Sequence, residues 1–366
     1  MNILIFNWRD IKHPLAGGAE ISLFEHAKYW EKKGASVTWF ASSFPKGKER
    51  EDVEGIKIIR KGSHYSVHFL AFLNYLQGRL GNPSIVIDSF HFLPFFTPLY
   101  IKKAKIVGLI NEVAGRVWFS NIIFPLSLIG YLIESLFFAF YKNTKFITSS
   151  DSTRDELIKF GILKEFVNIV HHGVTVKKIK KDIVKEKNPT IIFLGRISED
   201  KGIKDALMAF SELKGKIKNC KLWIAGREEN EGYLEGLIKG VGLNKFRSEI
   251  IYFDYVSEEK KFELLKKAWV LIHPSRKEGW GLNVIEAASQ GTPTVGYNTE
   301  GLRDSIVDDK TGLLSDPNPK SLADKAFKLI SDKRLYYKLE LGAEEWANKF
   351  NWEESNRQSW EVIKNI

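Results

Sequence analysis

An alternation of strand and helix, run through twice, restricts the fold of this chain more than any other feature. NILIFN (residues 2–7) is a short apolar run of the kind buried in a parallel sheet. A glycine-containing loop, PLAGGAE (14–20), follows, and then a helical period over 21–33 that Gly34 closes. SVTWFA returns to strand, so a βαβ unit opens the chain. IKIIR, SIVID, KIVGLI, KFITS and VNIVH continue the series to His171. The pattern then restarts. TIIFLG is a strand, 203–214 a helix, KLWIAG, EIIYF and WVLIH are strands, VIEAASQ is a helix closed by Gly291, and PTVGY is a strand. Such alternation predicts an α/β protein of two Rossmann-like domains, each a parallel sheet with helices on both faces. Ligands of these sheets sit beyond the carboxyl ends of the strands, and two domains in tandem face a central cleft.

The length of 366 residues suits two such domains. Between them, VKKIKKDIVKEKNP (176–189) lacks an apolar period and ends in Asn-Pro, which reads as a linker. The expected division is an N-terminal domain over 1–175, the linker, and a C-terminal domain over 190–351. FNWEESNRQSWEVIKNI reads as a terminal helix packed on existing structure.

Composition removes several classes of function. One cysteine, Cys220, excludes a disulfide framework and a cysteine-rich metal site. A net charge of +10 favours anionic partners. Zinc-finger spacing and RNP-like strands are missing from the sequence, so nucleic acid is not an expected partner. The apolar start is short and runs straight into charge, unlike a signal peptide, and the expected location is cytoplasmic. NIIFPLSLIGYLIESLFFAF (121–140) has the length of a membrane span. Pro125 interrupts it, however, and Glu134 inside it is costly in lipid, which favours buried or interfacial helices. With Lys142 and Lys145 just after, such a face suits peripheral docking on an anionic membrane.

Three loops carry the polar chemistry. In PLAGGAE, Gly17 and Gly18 let backbone N–H groups approach an anion at a helix start, although a tight turn explains them almost as well. FLGRISEDKG (193–202) sets Arg196 and Lys201 beyond a strand end and before a helix, which suits a diphosphate; a solvated loop is the plainer alternative. HPSRKEGWGLNVIEA (273–287) is the most informative. A strand ends at His273, Gly279 and Gly281 form a turn, and a helix begins near Leu282. The N–H groups of Gly281, Leu282 and Asn283 are then open to a phosphate. Glu278 precedes the glycines and Glu286 lies one turn into the helix, seven residues apart. Ionised carboxylates only accept hydrogen bonds, so they suit sugar hydroxyls. One can hold a sugar and the other a ribose, with phosphates between them; Glu286 alone is also explained as a carboxylate favoured by the helix dipole.

These pieces, with SSDSTRDELIKFG, the G-R-x4-K-G run at 195–202 and the long block from VSEEKKFELLKKAW to DDKTGLL, resemble the retaining glycosyltransferases of family 4, which have the glycosyltransferase B fold. The resemblance extends over nearly the whole chain. It implies a nucleotide-diphospho-sugar donor in the C-terminal domain, an acceptor mainly in the N-terminal one, and a C-terminal helix (352–366) that returns to the first domain. Residue by residue, it implies that Gly195, Arg196 and Lys201 bind the diphosphate and help it depart. Glu278 contacts the donor sugar, Glu286 the ribose, and Gly279, Gly281, Leu282 and Asn283 complete the donor site. Gly17 and Gly18 close on the donor from the opposite side, and His91 in DSFHFLPFF resembles the histidine beside the anomeric carbon.

Two departures fall on the acceptor side. His172-Gly173-Val174-Thr175 replaces Asn-Gly-Val-Asp, and Asn111-Glu112 stands where a histidine is common. Asn111, Glu112, Arg116 and Trp118 therefore become candidates for acceptor choice. Asp-x-Asp does not occur in the chain, so neither a metal nor any other cofactor is expected. The implied reaction moves a hexose, from UDP before GDP, to a glycan or lipid-linked sugar. A sugar-nucleotide 2-epimerase and a non-catalytic membrane- or anion-binding protein are the alternatives.

Overall fold

The computed structural model describes residues 1–175, 183–228 and 230–366, except the side chains of Arg116, Ser120 and Asn121. Residues 176–182 of the expected linker lie outside this description. Two compact units are formed: Met1–Gly173 with Trp352–Ile366, and Val174–Asn351.

The first unit is built on eight strands: β1 Asn2–Phe6, β2 Ser36–Ala41, β3 Arg50–Val53, β4 Ile56–Arg60, β5 Ile85–Ser89, β6 Lys105–Leu109, β7 Lys145–Thr148 and β8 Val167–Ile169. Their order is β3-β4-β2-β1-β5-β6-β7-β8, parallel throughout except for β3 against β4. The apolar run of β1 serves both faces. Ile3 and Ile5 join Trp39, Leu23, Ala27 and Trp30 on one side, while Leu4 and Phe6 join Phe40 and Val86 on the other. Such two-sided burial explains why the run reads as uninterrupted rather than alternating.

The second unit holds β9 Thr190–Leu194, β10 Lys221–Ala225, β11 Ile250–Phe253, β12 Val270–His273, β13 Thr294–Tyr297 and β14 Gly312–Ser315, in the order β11-β10-β9-β12-β13-β14. All its pairings are parallel. Strand order reverses between β9 and β12, and in the first unit between β1 and β5. Such switch points leave a crevice outside the carboxyl ends of the strands.

Every expected strand forms. Two more appear that the apolar pattern does not mark. β3 is the charged REDV, tied to β4 by a turn in which Glu54 and Gly55 both take positive φ (53° and 84°), a two-residue hairpin geometry. β14 is an edge strand that starts on glycine. The terminal helix, Trp352–Lys364, packs in the first unit against the Gly18–Lys32 helix. The Trp30 indole N–H donates to Ser359 Oγ at 3.0 Å, His26 Nδ1 lies 2.7 Å from Asn356 Oδ1, and Ile363 enters the core.

Candidate active site

In the second unit, the loops after β9 and β12 are bound to one another. The backbone N–H of Arg276 donates to Asp200 O at 3.1 Å, and the Ser275 hydroxyl reaches the same oxygen at 3.3 Å. Gly202, at φ +74°, starts the Ile203–Lys216 helix, and a Cβ there would lie 2.2 Å from Pro274 O. Only glycine allows both the backbone conformation and this approach.

The apposition brings Lys201 to Glu278, with Nζ 2.7 Å from Oε1. His273 Nε2, at the end of β12, lies 3.2 Å from the same oxygen. Burial alone would raise the Glu278 carboxyl; the Lys201 ammonium and the His273 hydrogen bond outweigh it and hold the group well below the usual carboxylate range. Arg196 is half exposed and pairs with Asp200 at 3.0 Å. Gly195 takes a φ of +151°, and the Asn283 amide donates to Leu194 O at 2.8 Å, pinning the start of the Leu282–Ala288 helix to the end of β9. Gly281 caps that helix in the left-handed region (φ 73°). Gly279 lies beneath Gly301, where a Cβ would strike the backbone of Glu278 and Gly279.

Glu286 is buried on the same helix, with Oε1 2.7 Å from Lys261 Nζ. Burial raises its carboxyl, and Lys261 offsets part of that rise. Lys261 comes from the Glu258–Lys267 helix and also meets Glu258 at 2.9 Å. Sequence reasoning misses Lys261 and His273. Lys261 is one of four lysines in the Glu258–Lys267 helix, and only helical phase separates it from the others. His273 looks like the last residue of an apolar strand.

The first unit gathers the other candidates. A pocket beyond β1, β5 and β6 is lined by Asn7, Ala19, Ser89, Phe90, His91, Phe92, Asn111, Glu112, Ala114 and Val117. His91, Asn111 and Glu112 thus share one cavity, and the His91 ring packs 4.2 Å from Trp8. Gly17 and Gly18 lie at the start of the Gly18–Lys32 helix beside Ala19, with the Gly17 N–H donated to Glu20 Oε2 at 2.8 Å. Trp118 is buried against Phe92 rather than lining the pocket, and donates its indole N–H to Glu134 at 3.1 Å. The side chain of Arg116 lies outside the description. Among the described residues, no group of three or more His, Cys, Asp or Glu is arranged to hold a metal.

Two protein families match the chain in tandem. "Glycosyltransferase Family 4" matches residues 16–178 and "Glycosyl transferases group 1" matches 175–346. A capsular polysaccharide biosynthesis glycosyltransferase of Staphylococcus aureus is 28% identical over 252 residues, 64% of this chain and 64% of that one, so the chain spans less than two thirds of that relative. Among solved structures, a sucrose-phosphate synthase from Thermosynechococcus elongatus has a TM-score of 0.80 at 17% identity, covering 100% of this chain and 98% of that one. An Anabaena protein in complex with UDP-glucose has a TM-score of 0.75 at 15% identity, covering 100% of both chains. The chain belongs to the group 1 and family 4 type of glycosyltransferase and has the glycosyltransferase B fold.

Proposed function

We propose that the chain transfers a hexose, with retention and without a metal, from a UDP-sugar to a hydroxyl of a glycan or lipid-linked sugar. The observation that carries this reading is the Lys201–Glu278 pair at the switch point of the second sheet. A diphosphate in that crevice takes the Lys201 ammonium and the Arg196 guanidinium as counter-charges. Glu278, still held by His273, then offers its oxygens to the sugar hydroxyls. The bond from the anomeric carbon to the phosphate oxygen breaks as the acceptor oxygen bonds on the same face. The acceptor proton passes to the departing phosphate. Charge accumulates on the leaving diphosphate, where fixed cations lower the barrier most. Glu286, paired with Lys261, is assigned to the ribose.

On the acceptor side, His91, Asn111 and Glu112 line one pocket of the first unit, which supports their roles near the attacking hydroxyl. The UDP-glucose bound by a neighbour of the same fold supports UDP as the nucleotide. A thermal-shift panel with UDP, GDP, ADP and their sugar conjugates tests the donor, because selective binding raises Tm by mass action. A shift confined to UDP compounds is expected. A shift with GDP alone reassigns the nucleotide, and none with any of them sinks the donor site. Turnover that isomerises the nucleotide-sugar without an acceptor would establish the epimerase instead.

A further inference from the structure

The Leu126–Phe137 helix of the first unit has its polarity reversed. Its inward residues are Ser127, Gly130, Glu134 and Phe137. The Glu134 carboxylate is buried and accepts the backbone N–H groups of Ala114 and Gly115, both at 2.8 Å, together with the Trp118 indole. Gly130 lets the helix approach closely, since a Cβ there would lie 2.4 Å from the Trp118 ring. The outward side is apolar. Ile123 is 78% exposed, Phe124 75%, Leu132 62% and Leu136 61%, and Leu126, Ile129 and Phe140 extend the strip. An exposed strip of large apolar side chains of this kind marks an interaction surface rather than ordinary scattered exposure.

Charge identifies what covers it. Among the described side chains of 122–142 the one carboxylate, Glu134, is turned inward, and the exposed charge is Lys142. Exposed Lys102 and Lys103 follow the short Thr97–Tyr100 helix, and Phe96 just before that helix packs on Phe137 and Phe140. A symmetric second copy would bring the same lysines to the same face, with no exposed carboxylate in the strip to answer them. Anionic lipid headgroups answer them, and the acyl boundary accepts Phe, Ile and Leu. No helix among the described residues is long and apolar enough to cross a membrane, so the geometry suits a helix lying in the interface.

We propose that the outward face of residues 123–140 docks the first unit on an anionic bilayer surface. Glu134 acts as the internal strut that keeps this helix apolar side out. This deepens the reading of a lipid-linked acceptor. Vesicle binding is read without turnover, however, so its failure and that of the transfer reading are told apart. The test is flotation of the full chain with vesicles of phosphatidylcholine and phosphatidylglycerol in equal parts, and with phosphatidylcholine alone. Flotation with the mixed vesicles is expected, falling as salt rises. Ile129→Ser with Leu136→Ser should abolish it while circular dichroism and the nucleotide thermal shift stay unchanged. Lys142→Gln should weaken partition about five-fold. The proposal is overturned if the native chain ignores both vesicles, if it binds phosphatidylcholine equally well, or if the double variant floats like the native chain. Dissociation of a lipid-free dimer by the same two changes, with no flotation of the native chain, would assign the face to a second copy.

Discussion

Lys201 and Glu278 are separated by 77 positions and meet at 2.7 Å. Their roles predict different losses. Lys201→Ala removes charge where the leaving group gains it, so kcat should fall about 100- to 1,000-fold. The melting temperature should stay within a few degrees, because Lys201 is partly exposed. A variant with near-native turnover would return Lys201 to an ordinary ion pair. Glu286→Gln keeps the side-chain shape and leaves Lys261 its partner Glu258. Nucleotide affinity should drop about ten-fold by calorimetry, the scale of one charged hydrogen bond, with kcat on saturating donor little changed. Unchanged affinity would remove Glu286 from the ribose. Glu278, Glu286 and Lys201 stand out in the sequence as a set, a carboxylate before a glycine turn, a second one turn into the next helix and a lysine beyond a strand end, although a solvated loop or the helix dipole explains Lys201 and Glu286 singly. Lys261 and His273 are not, since each gains its role from a partner that only folding supplies.

At the scale of elements, the Trp352–Lys364 helix is held by polar groups that must stay neutral. Burial lowers the His26 pKa to about 4 from an ordinary 6.5, with the Asn356 hydrogen bond opposing part of the shift. Burial, then His26 and His171, lower that of His172 to about 3. Both histidines take up protons more readily when unfolded. Stability of the first unit is therefore unaffected by them above about pH 6.5, and is lost as pH falls from there towards 4 and 3. Near pH 5 each costs about 1.4 kcal/mol per pH unit. Melting temperature followed against pH should show this slope, and His26→Gln should flatten it; an unchanged slope would place the proton uptake elsewhere. The existence of this helix is legible from its apolar period. Its seat on the first unit is what the family resemblance implies, and the local pattern alone does not give it, because the contacts that decide it, His26 with Asn356 and Trp30 with Ser359, join positions more than three hundred residues apart.

For the molecule as a whole, chain order and spatial order disagree at one place: Trp352–Ile366 follows the second unit and belongs to the first. Truncation after Asn351 should therefore lower the melting transition of the first unit by several degrees and leave the second nearly unchanged. Calorimetry on the truncated chain checks this, and a matching loss in the second transition would contradict it. The doubled β-α alternation was determined by sequence alone, because buried parallel strands need unbroken apolar runs and their crossovers need helices. So were the glycine-bounded loops at the strand ends, where backbone conformation restricts residue type. Tertiary structure alone decided that the charged REDV pairs as an edge strand, that Glu134 turns inward beneath an apolar surface, and that Lys201 meets Glu278. The physical reason is common to all three. Local periodicity records how much of a segment is buried, whereas the partner of a charge is set by side chains that distant segments bring to it.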